Sequence, residues 1–210
     1  MIKPPFKLKI FLSILLGISA NLVANQRSYC FSKPLVEFKA GYFFFSNSTM
    51  RKIYDKGGLD IQLCGSYSLR SFSDRWDLAL YAAVEYWSRS GKSLNEGQGT
   101  SLWSIPVNIG LKPIYAVTPS IDYYFAIGPR YFYIHQHNNS SYVYKNQSGS
   151  DLGFFVNTGF NCLVYNHFVI DVFGEYSYAK MDFYNGNSSI YTKNMQVGGF
   201  TFGGGLGYEF

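Results

Sequence analysis

Between residues 34 and 210, bulky apolar residues alternate with small or polar ones at a period of two, in eight separate stretches. That is the period of a β-strand, whose successive side chains face opposite ways. The last stretch shows it most plainly. Phe200, Phe202, Leu206, Tyr208 and Phe210 share one parity, while Thr201, Gly203, Gly205, Gly207 and Glu209 share the other. The remaining strands are predicted over 34–45, 58–69, 76–87, 101–111, 121–134, 151–165 and 167–179.

In each stretch one parity is consistently greasy. Val36, Phe38, Ala40, Tyr42 and Phe44 oppose Glu37, Lys39 and Gly41. Leu59, Ile61, Leu63, Tyr67 and Leu69 oppose Asp60, Gln62 and Ser66, and Leu78, Leu80, Ala82, Val84 and Tyr86 oppose Asp77, Tyr81 and Glu85. Trp103, Ile105, Val107, Ile109 and Leu111 oppose Ser104 and Asn108. Later strands set Tyr123, Phe125, Ile127 and Tyr131 against Asp122, Tyr124 and Arg130, and Ile170, Val172, Tyr176 and Tyr178 against Asp171 and Glu175. In the sixth stretch Phe154, Val156, Phe160 and Val164 oppose Asn157 and Asn161. Pro106 and Pro129 cannot donate to a ladder, so a bulge is expected at the first and a ladder defect at the second.

The connections divide into two kinds. Those at 70–75, 112–120 and 165–166 are short, whereas 46–57, 88–100, 135–150 and 180–195 are long and rich in Ser, Asn and Gly. Short turns at one rim and long loops at the other suit a barrel with an even number of strands that crosses a membrane, greasy parity outward. A water-soluble eight-stranded barrel would carry a polar outer face instead. The expected fold is therefore all-β, an eight-stranded antiparallel up-and-down transmembrane β-barrel. With the N-terminus in the periplasm, the long loops face the exterior.

The first residues carry a different pattern. Lys3, Lys7 and Lys9 precede an apolar run from Ile10 to Ile18, and small residues follow at Ala20 and Ala24. This is the layout of a secretory signal peptide, assigned to 1–24, with the barrel over 25–210. The run is too short to span a bilayer as a helix. Aromatics make up 20% of residues, with 19 Tyr and 19 Phe, against only 15% charged, which suits a lipid-facing band with interfacial girdles. Without the three leader lysines, 15 basic residues face 13 acidic ones, so the charge points to no nucleic-acid partner.

The C-terminal Phe200–Phe210 pattern and the Glu37-Phe38-Lys39-Ala40-Gly41-Tyr42-Phe43 stretch resemble the small bacterial outer-membrane barrels of the OmpA, OmpX and OmpW type. The resemblance spans the chain after the leader and implies a cell outer-membrane location; in one departure from full OmpA-like proteins, no periplasmic domain is expected after the barrel, so peptidoglycan tethering is not implied. It also implies that Tyr208 and Phe210 are read by the barrel-assembly machinery during insertion.

Candidate chemistry concentrates on the inward parity. Glu37, Lys39, Asp60, Glu85, Arg130, Asp171 and Glu175 all point into a lumen only wide enough for side chains. Charges placed there must pair or stay wet. Arg130 with Glu85 or Glu175, and Lys39 with a neighbouring carboxylate, is the expected pairing in a lumen charge network of Lys39, Glu85, Arg130, Asp171 and Glu175, and it favours a plug. The same pairs exchanging partners would make a narrow channel for small solutes.

His135 and His137 near Ser140 and Ser141 raise a third reading, a lipid A-modifying acyl enzyme. No triad spacing, Walker loop, metal-ligand spacing or Gly-x-Ser-x-Gly elbow accompanies them, so neither enzyme activity nor a cofactor is expected. Cys30, Cys64 and Cys162 are read as isolated thiols. Basic loop residues Arg51, Lys52, Lys56, Arg89, Lys92, Lys145 and Lys193 could meet lipopolysaccharide phosphates or an acidic host surface. The role expected first is thus structural or surface-interactive, through four extracellular loops.

Overall fold

The computed structural model describes residues 33–54, 57–93, 97–139, 145–165, 167–185 and 190–210. The leader at 1–24, Cys30, Ser140 and Ser141 therefore lie outside the described residues. Ten strands follow in chain order: β1 (Leu35–Phe45), β2 (Gly58–Ser73), β3 (Trp76–Lys92), β4 (Gly99–Ser104), β5 (Val107–Thr118), β6 (Ile121–Asn138), β7 (Asn146–Val164), β8 (Phe168–Asn185), β9 (Ile190–Val197) and β10 (Gly199–Glu209). One helix, α1 (Ser48–Tyr54), sits between β1 and β2.

All the pairings are antiparallel, and β10 returns to β1, so the sheet closes on itself. β4 and β5 share the gap between β3 and β6, and β9 runs on into β10 beside β8, so the ring has eight traverses. Closure matters because a sheet edge in hydrocarbon would leave a row of unsatisfied N–H and C=O groups.

The surface is inverted relative to a water-soluble protein. Leu206 is 69% exposed and Val172 61%, whereas Glu37, Lys39 and Arg130 are fully buried. Through the middle of the wall the greasy parity points out and the polar parity in, as the alternation predicts, and towards the loop rim the inward parity turns apolar.

Two details depart from the sequence reading. Pro106 makes no bulge: Trp87 opposes Ser104 and Val84 opposes Val107, so the register on β3 passes through unshifted. Pro106 accepts at its carbonyl from Glu85 N (2.9 Å) while Ile105 N donates to Tyr133 O (3.0 Å), which bridges the break left by the missing N–H. Pro129 behaves as expected: it opposes Phe154 on the β7 side, but the β5–β6 pairing skips it, passing from Asn108 opposite Arg130 to Leu111 opposite Ile127.

The strands also outrun their predicted ends. β3 reaches Lys92, β6 reaches Asn138 and β7 begins at Asn146, inside stretches read as loops. These extensions lie beyond the lipid-facing belt and are polar on both faces, so the ladder continues where the apolar signal stops. At the opposite rim the turn expected over 112–120 shrinks to two residues, because β5 runs to Thr118. Both described ends of the chain, Lys33 and Phe210, lie at this second rim, called here the terminal rim; the other is the loop rim.

Closure requires β1 and β10 to approach tightly. Gly41 opposes Gly203, and a Cβ on Gly203 would sit 2.2 Å from Ala40 O and 2.5 Å from Gly41 Cα. No side chain fits there without moving backbone. Gly203→Val should therefore lower barrel stability by about 1–3 kcal/mol, the usual range for overpacking, read as an earlier urea midpoint in gel-shift unfolding. An unchanged midpoint would show that the seam tolerates a wider gap.

Candidate functional site: a filled lumen

Alternation delivers one inward side chain from every second position of eight traverses, and these fill the lumen in layers. Nearest the terminal rim is a four-charge layer. Lys39 Nζ lies 3.0 Å from Asp171 Oδ2 and 3.4 Å from Glu37 Oε1, and Lys112 Nζ lies 3.2 Å from Glu37 Oε2. Tyr124 sits between the two ammonium groups. Lys39 donates to its hydroxyl at 3.1 Å, and Lys112 stands 4.3 Å over its ring. All four charged side chains are sealed from solvent.

The next layer is built around Arg130 on β6. Its guanidinium donates to Glu85 Oε2 on β3 at 2.6 Å and to Glu175 Oε1 on β8. Arg130 therefore spans both carboxylates rather than choosing one. Each carboxylate is braced in turn by an amide, Asn108 Nδ2 to Glu85 (2.5 Å) and Asn157 Nδ2 to Glu175 (3.0 Å). Asp60 completes the layer, accepting from Gln62 Nε2 (3.2 Å) and Thr201 Oγ1 (3.1 Å). Seven strands, β2, β3, β5, β6, β7, β8 and β10, are cross-linked at this level.

Above it, towards the loop rim, the lumen turns apolar. Phe43 stacks on Trp87 with ring centroids 4.8 Å apart, Phe45 meets both rings edge-on, and Phe132, Ile134, Leu102 and Val197 pack around them. Helix α1 closes the top by inserting Met50 and Tyr54 into this cluster. Asn47 Oδ1 caps the helix, accepting from Thr49 N (2.8 Å) and Met50 N (3.3 Å). Tyr54 hydroxyl reaches Thr100 Oγ1 at 3.3 Å, and burial pushes its pKa up to about 12.

The predicted network residues Lys39, Glu85, Arg130, Asp171 and Glu175 thus fall in two adjacent layers, joined by Glu37 and Asp60. Lys112 was missed, since the strand was ended at Leu111 and 112–120 was read as a connection. Yet the parity of Asn108 and Gly110 continues to Lys112 and could have revealed it. Arg89, read as a loop cation, is instead buried, with its guanidinium 5.3 Å from the Phe43 ring and donating to Gly58 O and Leu59 O. α1 was missed as well. Its signals are the Asn47 cap and the Met50/Tyr54 spacing of four.

His135 and His137 lie on the outward parity of β6 near the loop rim. The His135 ring is 5.4 Å from Trp103, and His137 Nδ1 is 2.7 Å from Asn146 Oδ1. Cys64 and Cys162 are free thiols on opposite faces of the wall. At the terminal rim the Tyr208 ring packs against His167, Phe168 and Phe210, and Phe210 N donates to Pro34 O at 3.0 Å.

An apolar outer belt around a closed ring of eight up-and-down traverses, with a charged and filled interior, is the fold of the small outer-membrane β-barrels. Solved structures agree. Outer membrane protein OprG from Pseudomonas aeruginosa superposes with a TM-score of 0.58 at 17% identity, covering 85% of this chain and 96% of its own. Outer membrane protein AlkL gives 0.53 at 14% identity, with 90% and 95% covered. Ail, the attachment invasion locus protein of Yersinia pestis, gives 0.52 at 14% identity, with 86% and 100% covered. No protein-family profile and no curated protein matches the sequence.

Arg130 holds two buried carboxylates that would otherwise face each other uncompensated. Arg130→Ala should cost about 3–5 kcal/mol, the range for breaking a buried pair from one side. Adding Glu85→Gln and Glu175→Gln to the same variant should recover part of that loss, because the stranded charges are then gone. Equilibrium urea unfolding of the three proteins in one detergent checks both statements; an Arg130→Ala midpoint equal to wild type would sink them.

Proposed function

We propose that this chain is a closed barrel of a Gram-negative-type outer membrane that acts through its loop rim rather than through its lumen. The observation that carries this reading is the continuous filling of the interior. Two sealed charge layers lie under an aromatic layer, and α1 lies over that. An ion crossing would have to displace Phe43, Trp87 and Phe132 and then break the Arg130 pairs. In this reading the terminal rim faces the periplasm and the loop rim the exterior. Tyr208 and Phe210 are then the residues presented to the barrel-assembly machinery during insertion.

The partners proposed for the loop rim are anionic. Arg51 and Lys52 on α1, Lys92 at the end of β3 and Lys145 before β7 are all exposed there. Ail of Yersinia pestis, a structural neighbour with TM-score 0.50 and 17% identity in this form, has been solved with the heparin analogue sucrose octasulfate, a dense polyanion. Here the corresponding chemistry is lipopolysaccharide phosphate or an acidic host surface, met by basic side chains through charge-assisted hydrogen bonds. We assign the chain no enzymatic step: the His135 ring packs beside Trp103 and His137 Nδ1 meets Asn146 Oδ1. Expression should accordingly leave the mass spectrum of lipid A unchanged.

The deciding measurement is single-channel conductance of the refolded chain in a planar bilayer, after a gel shift has verified folding. Silence is expected. Steady conductance from the folded wild type would overturn the closed-lumen reading and make the chain a narrow channel.

A further inference from the structure

Two of the chain's three histidines stand two residues apart on β6, and neither lumen layer uses them. No closed-site spacing marks the pair in the sequence; the strand brings it out. His135 and His137 share one face, because Gln136 between them turns the other way and donates to Asn138 Oδ1 at 2.8 Å. A two-residue step sets their Cα atoms about 7 Å apart, close enough for two imidazoles to converge on one ion.

Each ring has its own support. His135 opposes Trp103 on β4 and Ser148 on β7, and its ring lies 5.4 Å from the indole. His137 opposes Ser101 and Asn146, both exposed, so the pair stands beyond the lipid-facing Tyr131 and Tyr133, where the wall meets water. Its Nδ1 lies 2.7 Å from Asn146 Oδ1. An amide oxygen only accepts, so Nδ1 carries the proton and Nε2 keeps its lone pair. Metal-ligating histidines are oriented in this way, by a hydrogen bond from the nitrogen that does not bind the ion.

The donor atoms select the ion. Neutral imidazole suits Zn²⁺, Ni²⁺ and Cu²⁺, whereas Mg²⁺ and Ca²⁺ take oxygen ligands. Among the described residues no three His, Cys, Asp or Glu side chains gather into a metal cage. Two imidazoles therefore leave the other coordination positions to water or to a ligand from outside, as in an open rather than a closed site.

We propose that His135 and His137 form a two-imidazole chelate for a divalent transition-metal ion, with Asn146 fixing the His137 ring and Trp103 backing the His135 ring. The chelate needs only the strand geometry, whichever aqueous phase the loop rim meets.

Zn²⁺ alone is the probe, titrated into the refolded chain in micelles while the imidazole nitrogens are observed by NMR. His167, whose Nδ1 lies 2.8 Å from Glu209 O at the terminal rim, is the internal reference. Saturable shifts of the His135 and His137 rings are expected, with His167 unmoved and Mg²⁺ without effect. His135→Gln and His137→Gln should each abolish saturation, since one imidazole cannot chelate. Asn146→Ala should weaken Zn²⁺ by about tenfold or more through loss of ring orientation; an unchanged affinity there would overturn the orienting role of Asn146. A gel shift verifies the fold of every variant, and the two alanine substitutions stand in where a glutamine variant fails to fold. No saturable shift in the folded wild type, or saturation that survives loss of either histidine, would overturn the chelate and leave two solvated rim histidines.

Discussion

Everything in this molecule depends on satisfying the backbone without water. In hydrocarbon an unpaired N–H or C=O costs several kcal/mol, so a sheet that spans must have no edge. The β1–β10 seam meets that demand by joining residues at opposite ends of the barrel, from Leu35 with Glu209 to Phe45 with Gly199. Facing glycines at Gly41 and Gly203 let the two backbones approach. Once the ring is closed, the alternation of side chains has only one consistent sense. The solvent outside is lipid, so the greasy parity turns out and the polar parity is left to fill a narrow interior.

That consequence explains which features were legible in the sequence. Parity is a local property, so the inward placement of Lys39, Glu85, Arg130, Asp171 and Glu175 followed from counting residues along each strand. The partners did not follow in the same way. Arg130 meets Glu85 and Glu175 through stagger and tilt around the ring, and Lys39 meets Asp171 and Glu37 for the same reason. Strand ends were misread wherever lipid stops selecting for greasy residues, as at Lys92 and Asn138. Pro106 misled in a different sense. The loss of one donor at Pro106 is absorbed by the flanking bonds of Glu85 and Ile105, without shifting the register.

The interior shows why buried charge need not mean an open pore. Glu37, Asp60, Glu85, Asp171 and Glu175 outnumber Lys39, Lys112 and Arg130 among the fully or nearly fully buried groups of the two charge layers. The excess is met by neutral donors. Asn108, Asn157, Gln62 and Thr201 each donate to one of these carboxylates. Such a network is costly to break from one side, because each removed donor strands a charge in a low-dielectric interior. It therefore acts as a cross-brace between strands distant in sequence, and it resists the exchange of partners that conduction would need.

The apolar layer above the charges supplies the asymmetry between the two rims. At the loop rim, Phe43, Phe45, Trp87 and Phe132 exclude water, and α1 adds Met50 and Tyr54 over them. A polar segment there gains little by entering the barrel and stays available to partners outside. At the terminal rim the described residues show no such layer, and Asp77 and Asn161 line a small pocket there. The two rims of the same closed ring are therefore built differently, one on an aromatic layer under a helix and the other on polar strand ends.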